Sequence, residues 1–218
     1  DAPRGERLWG IAVQLYTLRS ATNWGMGDFA DLEQVVRAAA ARGAAFVGLN
    51  PLHALFPGNP WHFSPYSPSS RHFLNVLYIA IESLPEFREC AEALGIVESG
   101  TFQRELERLR SVDSVDYAGV AQAKLPVLAA LFEHFRREHL DRGSARAEAF
   151  LAFERERGEP LRLHALHDAI DAHLRRGSSL PWRYRLGTAA PGEARRRSPP
   201  SPSPTRRSSR IPPAALGQ

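Results

Sequence analysis

Two short apolar runs with one capped helical pattern between them constrain this chain more than any other feature. WGIAVQLYTL (9–18) and AFVGLN (45–50) have the near-continuous apolar character of strands buried on both faces. Between them FADLEQVVRAAAARG puts Phe29, Leu32, Val35, Val36 and Ala39 near helical spacing. Asp28 stands where an N-cap belongs and Gly43 where a helix stops. Strand, helix, strand within about 42 residues is a βαβ unit, which calls for a right-handed crossover and a parallel pair. The fold class expected is α/β.

Downstream, FLNVLYIAIE (73–82) reads as a third apolar, β-prone run. From about 86 to 176 the pattern turns helical. LPEFRECAEALG, TFQRELERLRS, VAQAKLPVLAALFEHFRREHL, RAEAFLAFERERG and PLRLHALHDAIDAHLRRG carry apolar residues at spacings of three and four, enough for four or five helices, with Asp116 as a cap. From Pro181 the register is lost. The stretch from Arg183 holds seven prolines and five serines and too little apolar surface to offset its ordering entropy, so disorder is expected there.

Charge has to be located before it is interpreted. The net +4 suggests a nucleic-acid binder, yet residues 183–218 hold eight of the 28 basic and one of the 24 acidic residues. That tail carries +7 and leaves the body at −3, with no electrostatic footprint for DNA or RNA. No run of about 18 apolar residues suggests a membrane span. The sequence opens DAPRGERLWG, without Met and without a basic then apolar leader pattern. One cysteine, Cys90, excludes an intrachain disulfide and a multi-cysteine zinc site, and it reads as an inert thiol that suits a cytoplasmic setting.

Several motifs admit two readings each. NWGMGD (23–28) follows a strand and precedes a helix, as a dinucleotide loop does, but no acid ends the second strand. A tight turn into a capped helix accounts for it better. His53, His62 and His72 lie in the second loop, and His53 and His62 could ligate a metal with help from an acid, but no Asp or Glu occurs between 34 and 81, and polar loop histidines suffice. His164 with Asp168, and His167 with Asp171, have the i, i+4 spacing of solvated helix pairs. No metal or other cofactor is expected, and no catalytic acid pair can be named on this segment.

The positive signal is aromatic. Trp24, Trp61, Phe63 and Tyr66 follow strand ends, and in α/β folds ligands bind beyond the carboxyl ends of parallel strands. Exposed rings there can stack on sugar faces while serines bond hydroxyls; equally, the rings can pack the loop against its own scaffold. SPYSPSSR (64–71) lies in this loop.

WGIAVQLYTLRSATNWGMGDFADL (9–32), GLNPLHALFPGNP (48–60), SPYSPSSRHFLNVLYIAIE (64–82) and EPLRLHALHDAIDAHL (159–174) resemble the amylomaltase-type 4-α-glucanotransferases of glycoside hydrolase family 77. The resemblance spans about Arg7 to Leu180. It implies the first strands of a partial TIM (β/α)8 barrel with a helical insertion. The segments expected are 1–82 for the barrel part, 83–180 for the insertion and 181–218 for a disordered tail. It also implies transfer of α-1,4-glucan segments between maltodextrins by a retaining double displacement, with no cofactor. Ser64 and Tyr66 match the family's S-P-Y motif, which lines the donor site, and so become the expected substrate-binding residues. The family's aspartate nucleophile and glutamate acid/base lie beyond the segment that matches, so the chain alone is expected to be inactive, its C-terminal break reading as a change of frame. The alternative is a non-catalytic maltodextrin-binding or regulatory module.

Overall fold

The computed structural model describes residues 7–176, and the expected disorder of 181–218 lies outside them. The βαβ unit is present. β1 (Gly10–Val13) pairs in parallel with β2 (Phe46–Leu49), with Gly10 opposite Phe46 and Val13 opposite Leu49. α1 (Phe29–Ala40) connects them. Its start is a capping box. The Asp28 carboxylate accepts from the N–H groups of Ala30 (3.0 Å) and Asp31 (3.4 Å), and the Asp31 carboxylate accepts from the Asp28 N–H (2.9 Å). Gly43 follows the helix with φ of 80°, a conformation open to glycine.

The strands are not buried on both faces as expected. Phe46 is 57% exposed, and Ala12 and Leu49 are exposed as well. The reason is that, among the described residues, this sheet has two strands only, and α1 lies beside them without covering both faces.

The expected third strand over 73–82 does not form as such. β3 (His53–Ala54) instead pairs antiparallel with β4 (Ser70–Leu74), closing a hairpin whose loop is the aromatic segment. After Leu74 the chain leaves the sheet. The Asn75 side chain accepts from the Leu77 N–H (3.0 Å) and caps a 3-10 turn at Val76–Tyr78; a second turn follows at Ile81–Ser83. Leu77, Tyr78 and Ile81 are buried in the core. The run is apolar because it lies between helices and loop, a burial that periodicity cannot distinguish from that of a strand.

A 3-10 turn at Pro85–Arg88 leads into α2 (Ala91–Glu98), α3 (Gly100–Ser111), α4 (Tyr117–Phe135) and α5 (Ala145–Arg176), with a π turn at Arg136–Leu140. α5 is broken at Gly158, whose φ of 56° and ψ of −140° only glycine adopts readily. Side chains cap the starts of three of these helices. Cys90 Sγ accepts from Ala93 N–H, Ser99 Oγ from Phe102 N–H and Asp116 from Gly119 N–H. One core joins the β1 side to the helices: Leu15, Trp24 and Met26 pack with Leu109, Val120 and Val127. Gly25, at φ of 83°, sits where a Cβ would come within 2.7 Å of the Leu109 backbone, so glycine is required for this close approach. No helix among the described residues is long and apolar enough to cross a membrane.

Candidate functional site

The hairpin loop between β3 and β4 is held at both ends. At its start, Asn59 N–H bonds the Phe56 carbonyl (2.8 Å), and the Phe56 and His62 rings stack at 4.6 Å and 17°. At its end, Ser69 Oγ donates within reach of the carbonyls of Ala54 (3.1 Å) and Leu55 (2.6 Å). Ser69 N–H also donates to Ala54 (2.9 Å). Between these anchors, Ser67 N–H bonds the Ser64 carbonyl at 3.1 Å, closing a turn with Pro65 and Tyr66 at its centre. Proline at the second turn position fixes φ and favours this geometry. Tyr66 therefore stands at a turn tip with 70% of its surface exposed, and Ser64 is half-buried.

The four aromatic candidates separate. Trp61 is 54% exposed, in the same loop as Tyr66. Phe63 stacks on Tyr117, the first residue of α4, at 4.6 Å and 2°. Burial pushes the Tyr117 hydroxyl above its ordinary range. Trp24 is not on the rim at all, which corrects the sequence reading. It is 2% exposed, edge-on to Phe102 at 5.0 Å, and its indole N–H donates to Glu82 (3.2 Å). The turn at Gly25 directs it inward, and a residue's position after a strand end does not reveal that.

NWGMGD is a turn into a capped helix and holds no phosphate cradle. The N–H groups of Ala30 and Asp31, which a phosphate would need, are already taken by Asp28. His164 stacks on Phe73 (4.7 Å, 5°) and lies 3.6 Å from Asp168. His167 pairs with Asp168 (3.1 Å) rather than with Asp171, which Arg175 holds at 2.7 Å. The second half of α5 thereby covers the outer side of the hairpin. A groove of about 430 Å³ runs between them, lined by Ser70, Phe73, Leu163 and His164. Among the described residues no three His, Cys, Asp or Glu side chains come together as a metal site.

Sequence reasoning missed Lys124. It is 1% exposed, and its ammonium donates to the carbonyls of Leu77 and Ile79, both at 2.8 Å, with an Asp28 carboxylate oxygen 3.6 Å away. Burial pushes the lysine down from its ordinary range and pushes Asp28 up, each opposed by the charge of the other. The signal was available: Lys124 is the one charge in VAQAKLPVLAAL (120–131), an otherwise apolar helical stretch.

Comparison with known proteins bears on this arrangement. The family model described as 4-alpha-glucanotransferase, glycoside hydrolase family 77, matches residues 13–199, so the match extends past Leu180. A 4-alpha-glucanotransferase of Haemophilus influenzae is 41% identical over 166 residues, which are 76% of this chain and 24% of that protein. One of Mycobacterium tuberculosis is 34% identical over 172 residues, 74% of this chain and 22% of that protein. The crystal structure of amylomaltase from Corynebacterium glutamicum superposes with a TM-score of 0.66 at 35% identity, covering 81% of this chain and 24% of that one. The chain spans about a quarter of the length of the curated relatives it matches. With the matched family covering most of the chain, and relatives and fold agreeing, the chain belongs to the 4-alpha-glucanotransferases of glycoside hydrolase family 77.

Proposed function

We propose that this chain is part of a cytoplasmic 4-α-glucanotransferase that moves α-1,4-glucan segments between maltodextrins, and that its own contribution is to bind the glucan. On this reading β1, α1 and β2 are the opening of a partial (β/α)8 barrel within residues 1–82, and 83–180 is a helical insertion. Ser64 and Tyr66 contact the sugar. The aspartate nucleophile and glutamate acid/base of the retaining reaction belong to parts of the enzyme outside this chain.

The observation that carries the reading is the Tyr66 turn. A ring offered to solvent at a tip, on a loop anchored at both ends, meets a flat apolar sugar face at little ordering cost. The same loop lacks carboxylates, as no Asp or Glu occurs between 34 and 81, which suits binding rather than acid/base chemistry. Calorimetry with maltoheptaose tests it. Binding is expected, and Tyr66→Ala should weaken it by about 1–2 kcal/mol. The absence of binding heat would count against the assignment.

A second reading, a non-catalytic maltodextrin-binding or regulatory module, draws on that same exposed loop without catalytic acids. Maltotriose separates the two. A binding piece of an enzyme regains disproportionation when the rest of a family member is supplied, whereas a stand-alone module does not.

A further inference from the structure

The hairpin loop and the strap that follows it are gripped twice by one helix. Tyr117 and Lys124 are seven residues apart on α4, two turns along the same face and about 10 Å from each other. At the first position Phe63 stacks on Tyr117. At the second, Lys124 takes the carbonyls of Leu77 and Ile79. On the same helix Ala121 and Leu125 line a small apolar pocket together with Leu55, Phe56 and Leu77. Lys124 also faces Asp28, which caps α1. Three segments distant in sequence thus meet at one ammonium: the α1 cap, the 75–81 strap and α4.

A fully buried ammonium is costly to desolvate, and an apolar residue of similar volume would pack here with less penalty. The arrangement therefore points to orientation and specificity more than to net stability. The two carbonyls it satisfies belong to a segment that has left the sheet and, among the described residues, pairs with no strand in that stretch. We propose that Lys124 is a positioning residue: its ammonium stands in for a strand partner, fixing the strap and, through β4, the Tyr66 loop relative to α1. The role in orienting sugar rests on the glucan-binding reading above; the role in fixing the strap does not.

Hydrogen–deuterium exchange of the full chain tests the proposal, with Lys124→Met, Lys124→Arg and Tyr66→Ala compared. Lys124→Met should raise exchange at 75–81 and 62–67 at least tenfold while the amides of α3 stay within twofold. Lys124→Arg, which keeps the charge, should restore much of the protection. Equal acceleration everywhere, or none in the strap, overturns the proposal. In the unmodified chain, 62–67 and 75–81 should open as one unit with a shared urea slope. Different slopes overturn the proposal too, and this measurement serves if Lys124→Met does not fold. Maltoheptaose affinity should fall at least fivefold in Lys124→Met although Tyr66 is intact. If Tyr66→Ala leaves affinity unchanged, the glucan reading fails while exchange still decides whether Lys124 fixes the strap. If Tyr66→Ala weakens binding and Lys124→Met does not, the positioning role is wrong.

Discussion

Trp24 and Trp61 have the same side chain and opposite roles. Trp24 is packed edge-on to Phe102 with its N–H on Glu82, so Trp24→Ala leaves a large cavity and should cost about 3–5 kcal/mol. Trp61 lies mostly in solvent, and Trp61→Ala should change stability by less than about 0.5 kcal/mol. Urea unfolding of the two variants measures both. Both tryptophans sit in loops after strands, so sequence position alone classes them together. What separates them is the backbone at Gly25, and its demand for glycine arises from Leu109, more than eighty residues away. Asn50 is a similar case. The sequence marks it as a strand end before Pro51, but its side chain accepts from Leu15 N–H (2.8 Å) and donates to the Tyr78 hydroxyl (3.2 Å), partners 35 and 28 residues distant. Asp28 and Asp116 were legible because a cap bonds its own helix, a few residues on.

Elements were legible where local chemistry and period agreed. α1, with its Asp28 cap, and the split of α5 between RERG and Pro160 follow from composition read in order. The 73–82 run failed that test because an apolar sequence states that it is buried and not what buries it. Between elements, the tie most open to measurement joins the Pro85–Arg88 turn to α5. The Arg146 guanidinium bonds Glu86, whose side chain is nearly buried, and holds its carboxyl below the ordinary 4.5. A carboxylate with a lowered folded pKa stabilises the native state above its unfolded value, and that contribution disappears as pH falls through the folded value. Glu86→Gln should therefore lower the melting temperature at pH 7 and flatten its decline below about pH 4.5, so that the two melting curves converge in acid. Melts between pH 3 and 7 check the convergence. A constant offset across the range would show that the pair contributes packing alone.

At the scale of the molecule, α2, α3 and α4 contribute to the core while the sheet side is open. β1 and β2 pair only with each other among the described residues, and Leu8, Trp9, Phe46 and Leu49 are exposed beside them. Open edges beside apolar surface recruit other chains. The chain should self-associate in a concentration-dependent way under light scattering, and Phe46→Glu should reduce it. A monomeric profile with a sharp two-state melt would contradict this. The sequence carried the βαβ unit because its runs are contiguous. The exposure of that unit was not legible, since strands apolar on both sides read as buried whatever pairs with them.

The break in α5 has a consequence of its own. At Gly158 the helical ladder of hydrogen bonds is interrupted, and the surrounding residues from Leu151 to Pro160 are exposed, Arg155 and Arg157 among them. Proteases cut where backbone can leave its hydrogen bonds cheaply and enter an active site extended. Among the described residues trypsin should therefore cut first after Arg157, parting the helix that screens the hairpin from the body that carries it, and a nick there would show what the screen contributes.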